Sequence, residues 1–270
     1  MSAVIREPAV AGGFYPADPK QLRADVKSYL SPRAEAISAI GCIAPHAGYM
    51  YSGQVAGAVF SRLKIPDCCV VLCPNHTGRG RPLAIMKEGE WRTPLGAVPI
   101  DAGLAKKLIE AFPALDQDSA AHQLEHAIEV ELPFLQVCHP EVKFVPIAIG
   151  TGQLLILRQL GESIADVLRR ENDRVLIIAS SDMNHYEDDA TTRVKDRKAI
   201  DEILALDPPR LYETVINESI SMCGFGPAVT MLTAAKQLGA QKAELVEYAT
   251  SGDVSGDRQM VVGYAGIVVR

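Results

Sequence analysis

Six short apolar runs alternate along the chain with longer segments whose apolar residues recur every three or four positions, and no other feature limits the fold as strongly. The runs cover residues 40–44, 68–73, 142–149, 175–179, 245–249 and 261–269 and are mostly β-branched. Runs of this length without polar alternation are the pattern of strands buried on both faces. The intervening segments 21–30, 52–63, 105–112, 125–137, 154–169, 192–206, 210–217 and 227–238 carry the helical period. In the first of them Leu22, Val26 and Leu30 share a face, Asp18 is placed to cap it, and Pro19 takes the first helical position. Strand alternating with helix predicts an α/β fold, a layered domain with a largely parallel or mixed central sheet covered by helices. Residues 87–100, punctuated by Gly89, Pro94 and Gly96, predict a hairpin or extended excursion instead.

The 270 residues contain no internal repeat, low-complexity stretch or linker, so residues 1–270 are expected to form one domain. With 27 Lys and Arg against 33 Asp and Glu, the net charge of -6 argues against a nucleic-acid partner. The N-terminal stretch MSAVIREPAVAGGFYP places Glu7 and two prolines where a signal peptide would carry its apolar core. No run approaches the ~18 apolar residues of a membrane span, so a soluble, cytoplasmic protein is expected. The six cysteines lack a C-x-x-C pair and lie mostly in apolar stretches, which suits reduced core thiols. Cys223 differs, because it sits in the glycine-bearing segment SMCGFGP.

In open α/β sheets ligands bind beyond the carboxyl ends of the strands. Three apolar runs end there on histidine loops: residues 40–44 lead to His46, 68–73 to His76, and 175–179 to Asp182 and His185. Imidazole ligates metals and moves protons near neutral pH, so three histidines at one topological position point to a shared site. A competing pattern, His122-x-x-Glu125-His126, fits the inverted zinc-peptidase motif if it lies on a helix. No G-x-S-x-G elbow, P-loop or dinucleotide fingerprint is present, which disfavours a nicotinamide enzyme.

Eight segments in order from end to end carry a further signal: PAVAGGFYP, APHAGYMYSG, PNHTG, WRTPLG, LEHAIEVELPFLQ, SSDMNHY, MCGFGP and GYAGIVV. With them the chain resembles the Memo family, whose prokaryotic members are called AmmeMemoRadiSam system protein B. The resemblance implies a fold similar to the class III extradiol dioxygenases, which open catechol rings with non-haem Fe(II) held by two His and one Glu. Carried over by motif, His46 and His76 look like the two His ligands and His185 like the acid/base. Cys223 falls where the dioxygenases have the carboxylate, and Asp182 and His126 are expected to line the same cavity. A thiolate is softer than a carboxylate, binds Zn or Cu well and is itself oxidisable. The resemblance itself implies copper or iron redox chemistry, so the expected ion is Fe(II) or Cu, with Zn an alternative.

Two function classes follow. One is a metal-dependent oxidoreductase in which His46, His76 and Cys223 hold Fe or Cu and His185, oriented by Asp182, moves a proton of a small molecule. The other is a non-catalytic metal- or peptide/protein-binding module; a zinc peptidase ranks behind both. The resemblance also implies a functional link to an AMMECR-type domain protein and a radical SAM protein.

Overall fold

A computed structural model describes residues 4–31 and 35–270. In chain order its elements are β1 (Ile5–Arg6), α1 (Pro19–Tyr29), β2 (Gly41–Ala44), α2 (Tyr49–Ser61), β3 (Cys68–Pro74), β4 (Leu83–Ile85), β5 (Glu90–Thr93), β6 (Gly96–Pro99), α3 (Ala102–Ala111), β7 (Asp116–Gln117) and α4 (Leu132–Cys138). They continue with β8 (Lys143–Ile149), α5 (Leu154–Leu168), β9 (Val175–Ser180), β10 (His185–Glu187), α6 (Asp189–Leu204), α7 (Pro208–Asn217), α8 (Phe225–Gln237), β11 (Ala243–Thr250), α9 (Ser251–Ser255) and β12 (Val261–Val269).

Among the described residues, nine strands form one mixed sheet in the order β10-β12-β2-β9-β3-β8-β4-β7, with β11 also pairing β12. Its centre, β2-β9-β3-β8, is parallel throughout, whereas β12 runs antiparallel to β2, β10 and β11. Successive residues of β3 serve opposite faces: Val70 and Leu72 pack with α5 and α8, while Cys69, Val71 and Cys73 pack with α1, α2 and α4. Cys42 joins the latter core, so three of the six cysteines are ordinary buried side chains. The expected excursion is the hairpin β5/β6, which pairs with β1 in a separate three-stranded sheet. No helix among the described residues is long and apolar enough to cross a membrane.

The helix at 21–30 is capped as expected, with the Asp18 side chain accepting from the Gln21 amide. Several other helices begin earlier than their apolar period shows, because Asp101, Asp188 and Asp207 cap a turn that precedes it. The larger correction is at residues 125–137: helix exists only from Leu132 to Cys138, and residues 119–131 run in successive turns. Side chains there replace the helical ladder. Arg6 donates to the carbonyls of His122 and Glu125, and Glu125 accepts the amides of His76 and Ala127.

His122 therefore shares no helix turn with His126. Its ring is fully buried against Trp91 at 5.6 Å, and neither nitrogen completes a hydrogen bond. Burial, then the Arg6 charge, pushes its pKa down to about 4, opposed in part by the nearby Ala84 backbone, Asp118 and Glu125. Between the ordinary imidazole value and about 4, the unfolded chain takes up a proton that the folded chain refuses. Stability is thus present above the ordinary value and is lost as pH falls, by about 3 kcal/mol at pH 4 from this ring alone. Urea unfolding of wild type and His122→Phe should show the variant gaining about that much relative stability between pH 7 and pH 4. An unchanged difference would mean that His122 titrates normally.

Candidate metal centre

The parallel neighbours β2, β9 and β3 end at the same edge of the sheet, and each delivers a residue two positions beyond its last: His46, Asp182 and His76. Because β9 lies between β2 and β3, the chain reverses strand order there and leaves a crevice. His185 opens β10, pairing Val262 at the start of β12, and β12 begins at the same edge because it runs antiparallel to β2. Cys223 arrives from the opposite face, ahead of α8. A cavity of about 570 Å³ is lined by Phe14, His46, His76, His126, Asp182, His185, Tyr186, Ser221 and Cys223 among others.

Glycine at position 224 is what lets α8 approach so closely. A Cβ there would lie 2.3 Å from the Ser181 Cβ and 2.5 Å from the Ser180 carbonyl oxygen, and the Gly224 amide donates to Ser181 Oγ at 3.1 Å. Gly224→Ala should cost about 1–3 kcal/mol by overpacking and draw Cys223 away from the histidines. Thermal unfolding and metal titration together check this; a variant that binds metal as wild type would show that the contact does not position Cys223.

One ligand atom from each of His46, His76 and Cys223 lies within 4.8 Å of the others. The Cys223 sulfur is 3.2 Å from His46 Nε2, and the His46 and His76 rings meet edge to face with centroids 5.1 Å apart. Both Nδ1 atoms are tied back. His46 Nδ1 lies 2.9 Å from Ser180 Oγ, itself 2.8 Å from the carboxyl of Glu131, and His76 Nδ1 lies 2.9 Å from Glu125 Oε1. Each ring is left with Nε2 for the cleft, the arrangement in which an outer carboxylate or hydroxyl fixes a ligand histidine.

His76, Glu125 and His126 form a second close group. The His76 and His126 rings are stacked at 4.8 Å with only 19° between planes. Imidazole lone pairs lie in the ring plane, so two stacked, nearly parallel rings converge poorly on one ion, and His76 Nδ1 is already bonded to Glu125. Glu125 is better read as the group that orients His76, with His126 packed between that ring and Phe14 at 4.7 Å.

Burial, with the neighbouring imidazoles, holds the His46 pKa well below normal. Burial would also lower His76, but the hydrogen bond and charge of Glu125 outweigh it and its pKa is raised. His126 and His185 are lowered, chiefly by burial. The Asp182 carboxyl is pushed up to about 7 by burial, against the His46 and Ala47 amides that bond it. Burial drives the Cys223 thiol well up. Both shifts favour the uncharged forms, a neutral ring at His46 and a thiol at Cys223.

The orientation of His185 differs from expectation. Its Nδ1 lies 2.9 Å from the Ser221 carbonyl, while Asp182 accepts the His46 backbone amide at 2.8 Å. Asp182 thus shapes the His46 loop, and a backbone carbonyl orients His185. His122 is remote in role from this cleft, and the zinc-peptidase pattern does not assemble. The sequence does not single out Ser180, Ser221, Glu131 or Phe14, and it places Glu125 in the inverted zinc-peptidase pattern rather than beside His76.

A sequence profile described as Memo-like protein matches residues 6–268. A MEMO1 family protein of Methanopyrus kandleri is 44% identical over 98% of this chain and 99% of its own length. Another, from Archaeoglobus fulgidus, is 44% identical over 98% of this chain and 100% of its own. Among solved structures, the uncharacterized protein JW3007 of Escherichia coli K12 superposes with a TM-score of 0.56, covering 84% of this chain and 98% of that one at 13% identity, which establishes likeness of fold alone. The profile and the full-length identity together show that the chain belongs to the Memo-like family.

Proposed function

We propose that the cleft is a metal centre in which His46, His76 and Cys223 hold an iron or copper ion, and that the protein is a metal-dependent oxidoreductase acting on a small molecule. The observation that carries this reading is the convergence of three donors within 4.8 Å, with both imidazoles presenting Nε2. A two-histidine, one-thiolate set suits copper and zinc and leaves coordination positions open to the cavity. Iron or copper bound there would supply one-electron redox chemistry.

The chain's own groups divide the remaining work. His185 donates its Nδ1 proton to the Ser221 carbonyl, which leaves Nε2 as an acceptor facing the cavity, and its lowered pKa keeps it neutral. It is placed to take a proton from a bound substrate. Phe14 and His126, with ring centroids 4.7 Å apart, add aromatic surface to the cavity wall. The second reading, a non-catalytic metal- or protein-binding module, draws on Tyr186, whose aromatic side chain is 70% exposed on the cleft wall. The AMMECR-type and radical SAM proteins are the proposed functional partners under either reading.

Proton linkage tests the centre. The buried thiol must ionise to ligate, so binding expels its proton, and His76 competes for protons as pH falls. Anaerobic Cu(I) titrations should show affinity rising about tenfold per pH unit between pH 6 and 8. An affinity independent of pH across that range would mean that no protonated thiol is being displaced.

A further inference from the structure

The Ser180 hydroxyl has one proton and two lone pairs to share among three neighbours. They are the Ala127 carbonyl oxygen at 2.7 Å, Glu131 Oε1 at 2.8 Å and His46 Nδ1 at 2.9 Å. A backbone carbonyl can only accept, so the hydroxyl proton belongs to Ala127. Both remaining neighbours must then donate to Ser180 Oγ. For His46 this means a proton on Nδ1 and a bare Nε2; for Glu131 it means a protonated carboxyl.

The opposite assignment fails twice. If Ser180 donated to a Glu131 carboxylate, its lone pair would face the Ala127 carbonyl oxygen at 2.7 Å with no proton between them. The carboxylate would moreover be fully buried with its second oxygen, Oε2, bonded to nothing. A buried anion with one partner is far costlier than a neutral acid with one idle carbonyl oxygen. Burial and the nearby Asp182 charge favour the neutral form, against the pull of Ser180.

We propose that Glu131 is a neutral carboxylic acid that donates to Ser180 Oγ, and that through this hydroxyl it fixes His46 as the Nδ1–H tautomer with Nε2 directed at Cys223. Glu131 is thus a positioning residue for His46, just as Glu125 is for His76, but it acts as a hydrogen-bond donor where Glu125 acts as an acceptor. The consequence for metal affinity rests on the metal-centre reading; the proton placement does not.

The test begins on metal-free protein. The infrared difference between wild type and Glu131→Gln at neutral pH should contain a protonated-carboxyl band that shifts in heavy water. A difference containing only carboxylate bands overturns the proposal. Long-range 1H–15N spectra of histidine-labelled protein should show His46 as the Nδ1–H tautomer in wild type. The same tautomer is expected in Glu131→Gln, whose amide can donate to the same hydroxyl, and it should be lost in Ser180→Ala. Because the wild-type and Ser180→Ala spectra need no Glu131 variant, the proposal stays testable if Glu131→Gln fails to fold. An Nε2–H tautomer in wild type, or an unaltered Nδ1–H tautomer in Ser180→Ala, overturns it. In Cu(I) titrations Glu131→Gln should stay within about twofold of wild type and Ser180→Ala should bind about ten- to a hundredfold more weakly. A wild type that binds no copper would end the metal reading, while the spectra would still decide the proton placement. A wild type that binds copper with an ionised Glu131 would do the reverse.

Discussion

Cys223→Ser is expected to lower Cu(I) affinity by on the order of a hundredfold or more, about 2.7 kcal/mol, while the metal-free protein keeps its fold and melting temperature. Serine fits the space above Gly224 but offers a hydroxyl that does not ionise near neutral pH and is too hard for Cu(I). The variant should also lose the thiol's share of the pH dependence and keep only the part due to His76, which shows as pH falls. Cys223→Glu is the companion: it restores two histidines and a carboxylate, and preference should move from Cu(I) toward Fe(II). Competition titrations with a chromophoric chelator, run anaerobically, measure both. Wild-type copper affinity in a folded Cys223→Ser protein would remove the thiolate from the centre.

Arg6→Met should destabilise the fold by about 3–5 kcal/mol. The Arg6 guanidinium pairs with Glu129, donates to the His122 carbonyl at 3.0 Å and the Glu125 carbonyl at 2.7 Å, and lies 4.3 Å from the Trp91 ring centroid. The Arg6 and Glu129 side chains are 3% and 0% exposed. Removing the guanidinium leaves a buried carboxylate without its counter-charge, although the Ala9 and Val10 amides and the Tyr15 hydroxyl still bond it. The same clamp fastens the N-terminal segment carrying Phe14 to the turns carrying Glu125 and His126, so metal affinity should fall as well. Adding Glu129→Gln to Arg6→Met should recover part of the loss, since the orphaned charge is gone. Urea unfolding measures both; a cost below about 1 kcal/mol for Arg6→Met would show that the pair is not the clamp described.

The central strands are legible in the sequence because their runs are apolar on both faces, and the cleft is legible because three of those runs end in histidine loops. The segment LEHAIEVELPFLQ is not. Its apolar spacing imitates a helix, yet Glu125, Glu129 and Glu131 are all fully buried, each against a partner distant in sequence: His76, Arg6 and Ser180. Three acids within an otherwise apolar stretch are the available signal, because carboxyl groups enter a core only where something bonds them. Local periodicity cannot name partners 49 to 123 positions away. The same limit hides the role of Ser221: His185 and its acceptor are 36 residues apart, and the nearer Asp182 looks the natural partner.

X-ray absorption at the copper edge of anaerobically reconstituted protein tests the metal centre most directly. A centre built from His46, His76 and Cys223 requires one sulfur near about 2.3 Å and two imidazole nitrogens near about 2.0 Å, with the sulfur shell absent in Cys223→Ser. A first shell of oxygen and nitrogen alone in the wild-type protein would contradict that assignment.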